Sequence, residues 1–191
     1  MTLIEIMVTM TIVGLIFAAA AAGLRSAFNV NLKNTSAHLA STMRYLSSKA
    51  VTDHVYLRVV FDLDDRSYKI EGSNEPQVVD PEEGKGQGGS EGKEDKSNFT
   101  ALESKLLLPV KLPSDVFFKD VSVSYLKQKR EKGQVAVYFF PNGFATPALI
   151  NFRDEKDEDH FSIELFPLSG RVKVQSEYRE SLTEETKEPN P

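Results

Sequence analysis

The sequence contains no cysteine. That excludes a disulfide framework and a thiolate metal site, and it leaves the redox compartment unmarked. It also has no surplus of positive charge. The formal charge is −5, and the acid gathers in two stretches, Glu71–Lys96 and Glu177–Glu188. Such a chain repels a phosphate backbone, so nucleic acid is not an expected partner. Catalytic signatures are missing too. There is no HExxH and no G-x-S-x-G elbow. His38 falls on a predicted helix, His54 at its end and His160 in an acidic loop, and no Ser or Asp motif gathers around them. Paired carboxylates occur only in predicted turns. The sequence therefore predicts neither an enzyme nor a cofactor. Proline is absent as far as Asp53, and Met1 to Leu24 holds one charged residue, Glu5.

What is there begins with that run. The chain of 191 residues has room for a membrane segment and one globular domain of about 100–150 residues. Helical residues from Met1 to Leu24 would reach about 36 Å, against a hydrocarbon core of about 30 Å. Leu3, Ile4, Ile6, Val8, Ile12, Val13, Leu15, Ile16, Phe17 and Leu24 make it a predicted transmembrane helix. A secretory signal needs a basic segment ahead of its apolar run, and none precedes Leu3, although Ala18–Ala22 could supply a cleavage site. A plain anchor explains the apolarity but not Glu5. A carboxylate in lipid costs about 2.5 kcal/mol or more, so such a residue usually has a function.

Met1-Thr2-Leu3-Ile4-Glu5, followed by the apolar run, resembles the mature N-terminus of type IV pilins and type II secretion pseudopilins. In that family a prepilin peptidase cuts before residue 1 and the new terminus is N-methylated. The resemblance makes Met1 the processed, N-methylated terminus and Glu5 the assembly acid. Glu5 would pair with the positive N-terminus of a neighbouring subunit. An acid and an amine, each costly in lipid, offset one another when subunits stack. The family's short basic leader does not precede Met1, which is then either the mature first residue or an added initiator methionine. Arg25, Lys33, Arg44 and Lys49 follow the span, and alone they would put the following domain in the cytoplasm. A removed basic leader reverses that bias. The resemblance therefore implies a single-pass bacterial inner-membrane protein with its C-terminal domain in the periplasm.

Beyond the span the helix is expected to continue through residues 25–53 as an amphipathic stalk. Phe28, Leu32, Leu39, Met43, Leu46 and Ala50 recur near a 3.6 period, with Arg25, Asn29, Lys33, Ser36 and Arg44 largely off that stripe. Residues 54–176 then read as a β-rich domain. Val55–Phe61 alternates, turns at Asp64-Asp65 and returns over Ser67–Ile70 as a hairpin. Asp62, Asp64 and Asp65 fit a solvated turn better than an incomplete calcium loop. Residues 72–98 are low complexity and predict a disordered loop, whose glycines lack phosphate-loop spacing. Leu102–Val110 is a short apolar piece. Val116–Phe118 and Val121–Tyr125 read as two edge-type strands, and Lys127–Lys132 as a solvated hairpin tip. Gln134–Phe140, Ala148–Phe152, Phe161–Phe166 and Arg171–Gln175 complete the strands. Asp154–His160 is an acidic loop in which His160, Asp157 and Asp159 make a weak metal candidate. Residues 177–191 predict a disordered acidic tail.

Phe139-x-Pro141-x-Gly143, followed by Gly170-Arg171-Val172-x-Val174, resembles the C-terminal sheet of H-type minor pseudopilins, which FimT-like minor pilins share. The expected fold is α+β: a long N-terminal helix packed by its second half against a C-terminal antiparallel sheet or two small sheets. The resemblance implies a minor pseudopilin near the tip of a type II secretion pseudopilus that drives protein export. Its partners would be other major and minor pseudopilins, the inner-membrane assembly platform, prepilin peptidase, and secreted cargo or the outer-membrane secretin. Two alternatives stand beside it: a FimT-like minor type IV pilin in pilus assembly or DNA uptake, and a bitopic periplasmic binding or sensor protein.

Overall fold

The computed structural model describes residues 2–75, 100–101, 109–168 and 170–182, with side chains described for all of these but 19–29 and 100–101. Met1, the bulk of the predicted disordered loop (76–98), most of the apolar piece Leu102–Val110 and tail residues 183–191 lie outside the described residues. So do the side chains of Leu24 and Phe28.

One helix, α1, runs from Leu3 to Asp53, 51 residues or about 76 Å. No proline interrupts it. It ends at His54, which takes the left-handed conformation (φ 56°) and donates its N–H to Ala50 O. Propensity alone does not hold so long a helix; packing of its second half does. Leu32, Leu39, Met43, Leu46 and Ala50 are fully buried, as their spacing predicts, and Ala40 joins them. Ser36 differs from its expected place. It lies one turn from both Leu32 and Ala40, so it shares their face and is buried. Its hydroxyl is satisfied by donating to Leu32 O at 2.8 Å.

The strands form two antiparallel sheets. The first contains β1 (Tyr56–Asp62), β2 (Ser67–Ser73), β3 (Thr100–Ala101), β4 (Val110–Lys111) and β6 (Gln134–Phe139). Its order is β3-β2-β1-β6, with β4 also on β2. The second contains β5 (Val116–Val123), β7 (Ala148–Asp154), β8 (His160–Leu165) and β9 (Val172–Gln175), in the order β5-β7-β8-β9. The helix packs chiefly on β7, β8 and β9 and also touches β1, β5 and β6. Aromatic rings tie the sheets together: Phe61 of β1 stands 5.7 Å edge-on to Phe118 of β5, which lies 5.1 Å from Phe152 of β7.

Four sequence expectations change here. Val116–Val123 is one strand, not two, because a bulge between Phe118 and Asp120 shifts the register while pairing with β7 continues. Lys127–Lys132 is no hairpin tip, since β5 and β6 belong to different sheets. The segment is a crossover, and its Arg130 folds back on Val121 through paired backbone bonds of 2.8 Å. β2 runs to Ser73, into the stretch expected to be loop, because Glu71 and Gly72 pair with Ala101 and Thr100. The start of the tail is ordered by polar contacts. Asn151 and Ser162, buried on the outward face of the second sheet, donate to Arg179 O and Glu177 O, and Arg179 meets the Glu164 carboxylate at 2.6 Å.

Candidate functional site

The two halves of α1 differ. From Leu32 onward one face is buried, whereas every residue from Thr2 to Ala18 is exposed. Leu3 is 79% exposed, Ile4 70% and Phe17 72%. Ile6, Val8, Ile12, Val13, Leu15 and Ile16 are exposed likewise. An apolar surface of this extent marks a contact with protein or lipid. The polar side chains within it are handled differently. Thr9 and Thr11 donate to Ile6 O (3.0 Å) and Met7 O (2.8 Å), which satisfies them without water. The Glu5 backbone N–H donates to Thr2 O at 3.0 Å, whereas its carboxylate has no partner among the described residues. Its place in the first helical turn suits a negative charge.

Among the described residues no helix is long and apolar enough to cross a membrane. Leu3 to Ala18 covers about 24 Å, short of the ~30 Å hydrocarbon core. The sequence extends the run through Ala19-Ala20-Ala21-Ala22-Gly23-Leu24, to about 33 Å.

The other candidates resolve into structural roles. Asp62 accepts from the Asp65 N–H at 2.8 Å and the Gln134 amide at 2.9 Å. Burial pushes its carboxyl upward, but these bonds outweigh it and hold it below the usual range. Asp64 accepts from Gly133 N and Asp65 from Lys111, so the three acids fix a turn. At the acidic loop, Lys119 Nζ sits 2.8 Å from Asp157 and 3.0 Å from His160 Nε2. This ammonium stands where a metal would, and together with His160 it keeps the Asp157 carboxyl low. The histidines have separate surroundings: His38 faces the Tyr68 hydroxyl at 3.2 Å, His54 caps α1 and His160 meets Lys119.

The two C-terminal motifs meet on the last turns of α1. Gly143 (φ 84°) and Gly170 (φ 56°) both need the left-handed region. A Cβ on Gly143 would sit 3.8 Å from Val51, and one on Gly170 would lie on the Ser47 hydroxyl and 2.6 Å from Ser47 Cβ. Ala145 N bonds Pro167 O at 2.8 Å and joins the two turns. Sequence reading found both glycines as turn formers but not their seat on the helix. Ser47 carries no signal of that contact, since a small residue on a helix flank is ordinary.

No protein-family model matches the chain, and no curated protein matches it. Solved structures do. A structure of the minor pseudopilin EpsH from the type 2 secretion system of Vibrio cholerae aligns with a TM-score of 0.50 at 10% identity, over 76% of this chain and 97% of that one. A second structure of the same Vibrio cholerae pseudopilin gives 0.52 at 8% identity, over 79% and 97%. The fold is pseudopilin-like.

Proposed function

We propose that this chain is a minor pseudopilin of a bacterial type II secretion system. The observation that carries the reading is the divided helix. Its second half is the spine of a pseudopilin-like domain, and its start, Thr2–Ala18, is exposed throughout, apolar and marked by a single carboxylate at Glu5. Leu3–Leu24 holds the subunit in the inner membrane with the domain in the periplasm. An assembly platform then draws it into a short filament with other major and minor pseudopilins, near the tip. Prepilin peptidase generates an N-methylated Met1. Lipid suits the apolar side chains but penalises Glu5. In the filament the carboxylate meets a neighbour's terminal ammonium, and both desolvation costs are offset. The role is mechanical, with no catalytic step.

The test is substitution of Glu5. Glu5→Ala and Glu5→Leu are expected to leave membrane insertion intact and to abolish co-purification with the filament. Full incorporation of either variant would sink the reading. Mass spectrometry of the N-terminus separates it from a plain anchored sensor, which has no N-methylation.

A further inference from the structure

Two hollows, of about 590 and about 480 Å³, open between β9 and α1, but the opposite face of the second sheet is filled. Asp120 of β5, Asn151 of β7, and Ser162 and Glu164 of β8 form a polar row there, and all four are buried. Their cover is the chain just after β9, which crosses the sheet as a strap. Ser162 meets Glu177 O on β8, and Asn151 donates to Arg179 O at 2.8 Å on β7. Gripping carbonyls two residues apart requires no particular side chain. Selectivity comes from Tyr178 and Arg179. The Tyr178 ring lies 5.1 Å from Lys119 Nζ and 5.4 Å from Lys129 Nζ, and the His160 ring stands edge-on at 5.9 Å. Lys129 donates to the Tyr178 hydroxyl at 2.7 Å. Arg179 meets the Glu164 carboxylate at 2.6 Å.

Two features make this cover exchangeable. It is polar: lifting an apolar cover would expose apolar area to water, whereas these groups trade protein partners for water at a small net cost. Ser162 also has one hydroxyl proton for two acceptors, Glu177 O at 2.5 Å and Asn151 Oδ1 at 2.6 Å. Donation to the strap therefore competes with donation inside the row, and lifting the strap ends the competition.

We propose that the row is a peptide-docking slot, filled in the free protein by its own Glu177–Arg179 and opened to a partner protein's segment that carries an aromatic residue followed by Arg or Lys. The chain's own segment is the template for that occupant. The aromatic ring sits beside Lys119 and Lys129, the cation on Glu164, and two backbone carbonyls on Asn151 and Ser162. The tethered strap competes with the partner, so the apparent affinity is set by the fraction of time that the strap is lifted. The slot lies in the globular part, so it does not depend on the filament reading, and Glu5 variants leave it untouched.

The full chain in detergent micelles tests this with two labelled peptides, followed by fluorescence anisotropy: the chain's own Ser-Glu-Tyr-Arg-Glu-Ser-Leu, and Gly-Ser-Phe-Lys-Ser-Gly. Both are expected to bind a Tyr178→Ala, Arg179→Gln chain about thirtyfold more tightly than the parent, whose strap fills the slot. Adding Glu164→Gln should weaken binding about tenfold, with an unchanged circular dichroism spectrum. Placing Ala and Gln at the aromatic and basic positions of either peptide should cost at least as much. In the parent chain, excess peptide should speed amide exchange at residues 176–182 and leave β7 and β8 unchanged. Any of four results overturns the proposal: no binding to the opened chain, equal binding to the opened and parent chains, binding of the chain's own sequence but not of the Phe-Lys peptide, or pairing of the parent chain through exchanged tails in sedimentation, which would give the slot to a second copy.

Discussion

Gly170 shows how much a single residue can fix. Its φ of 56° costs any other L-residue about 1–2 kcal/mol, and a side chain there would strike Ser47 of α1. Gly170→Ala is therefore expected to destabilise the domain by about 3 kcal/mol, the backbone and steric costs adding. A double-mutant cycle with Ser47→Gly should recover only the steric share; an unchanged melting temperature for Gly170→Ala would contradict the contact. Tyr68 makes a prediction in pH. Burial pushes its hydroxyl up to about 12, against a weaker downward pull from Thr42. The unfolded chain releases this proton near pH 10 and the folded chain does not. Stability from this group is thus complete below about pH 10 and is lost as pH rises toward 12, on the order of 2–3 kcal/mol in all. Urea unfolding at about pH 9 and about pH 11.5 should show a smaller drop for Tyr68→Phe than for the parent chain. Equal drops would mean that the hydroxyl is not protected.

At the scale of elements, the helix was legible and the wiring of the strands was not. Leu32, Leu39, Met43, Leu46 and Ala50 announce the buried face because a helix samples its packing surface every 3.6 residues. The alternation from Leu57 to Phe61 announces β1 in the same way. Sheet membership leaves no such trace. Nothing between Val123 and Gln134 tells a hairpin from a crossover, since both need a polar turn-rich connection. The start of the C-terminal tail was hidden for a related reason. Its composition is polar, and what holds Glu177 and Arg179 is a polar row that includes Asn151, Ser162 and Glu164, not apolar burial. A chain ending at Gln175 is expected to lose about 2 kcal/mol as those groups pass from protein partners to water. For a protein of this size that is a fall in melting temperature of about 4–8 °C, measurable by circular dichroism. An unchanged melting temperature would show the segment to be only laid on the sheet.

At the scale of the whole molecule, the folded core uses one stretch of the helix and leaves another exposed. The described core begins at Leu32, and none of the exposed side chains from Thr2 to Ala18 contributes to it. Natural monomers do not leave so long an apolar surface in water, so the first half must be stabilised by whatever surrounds it, lipid or neighbouring helices. The candidate site at Glu5 could be picked out from the sequence for this reason: an acid in an apolar run needs no tertiary structure to be noticed. The hollows beside β9 leave no such trace, because lining residues such as Lys33, Arg44 and Leu168 converge only after the sheet has packed on the helix. If the division holds, a chain starting at Val30 should fold without detergent, remain monomeric by sedimentation, and melt within about 5 °C of the full chain in micelles, a difference worth no more than about 2 kcal/mol at this size. The full chain without detergent should associate through its exposed helix. A shortened chain that unfolds would show that the first half is part of the core, and the separation of anchoring from folding would have to be abandoned.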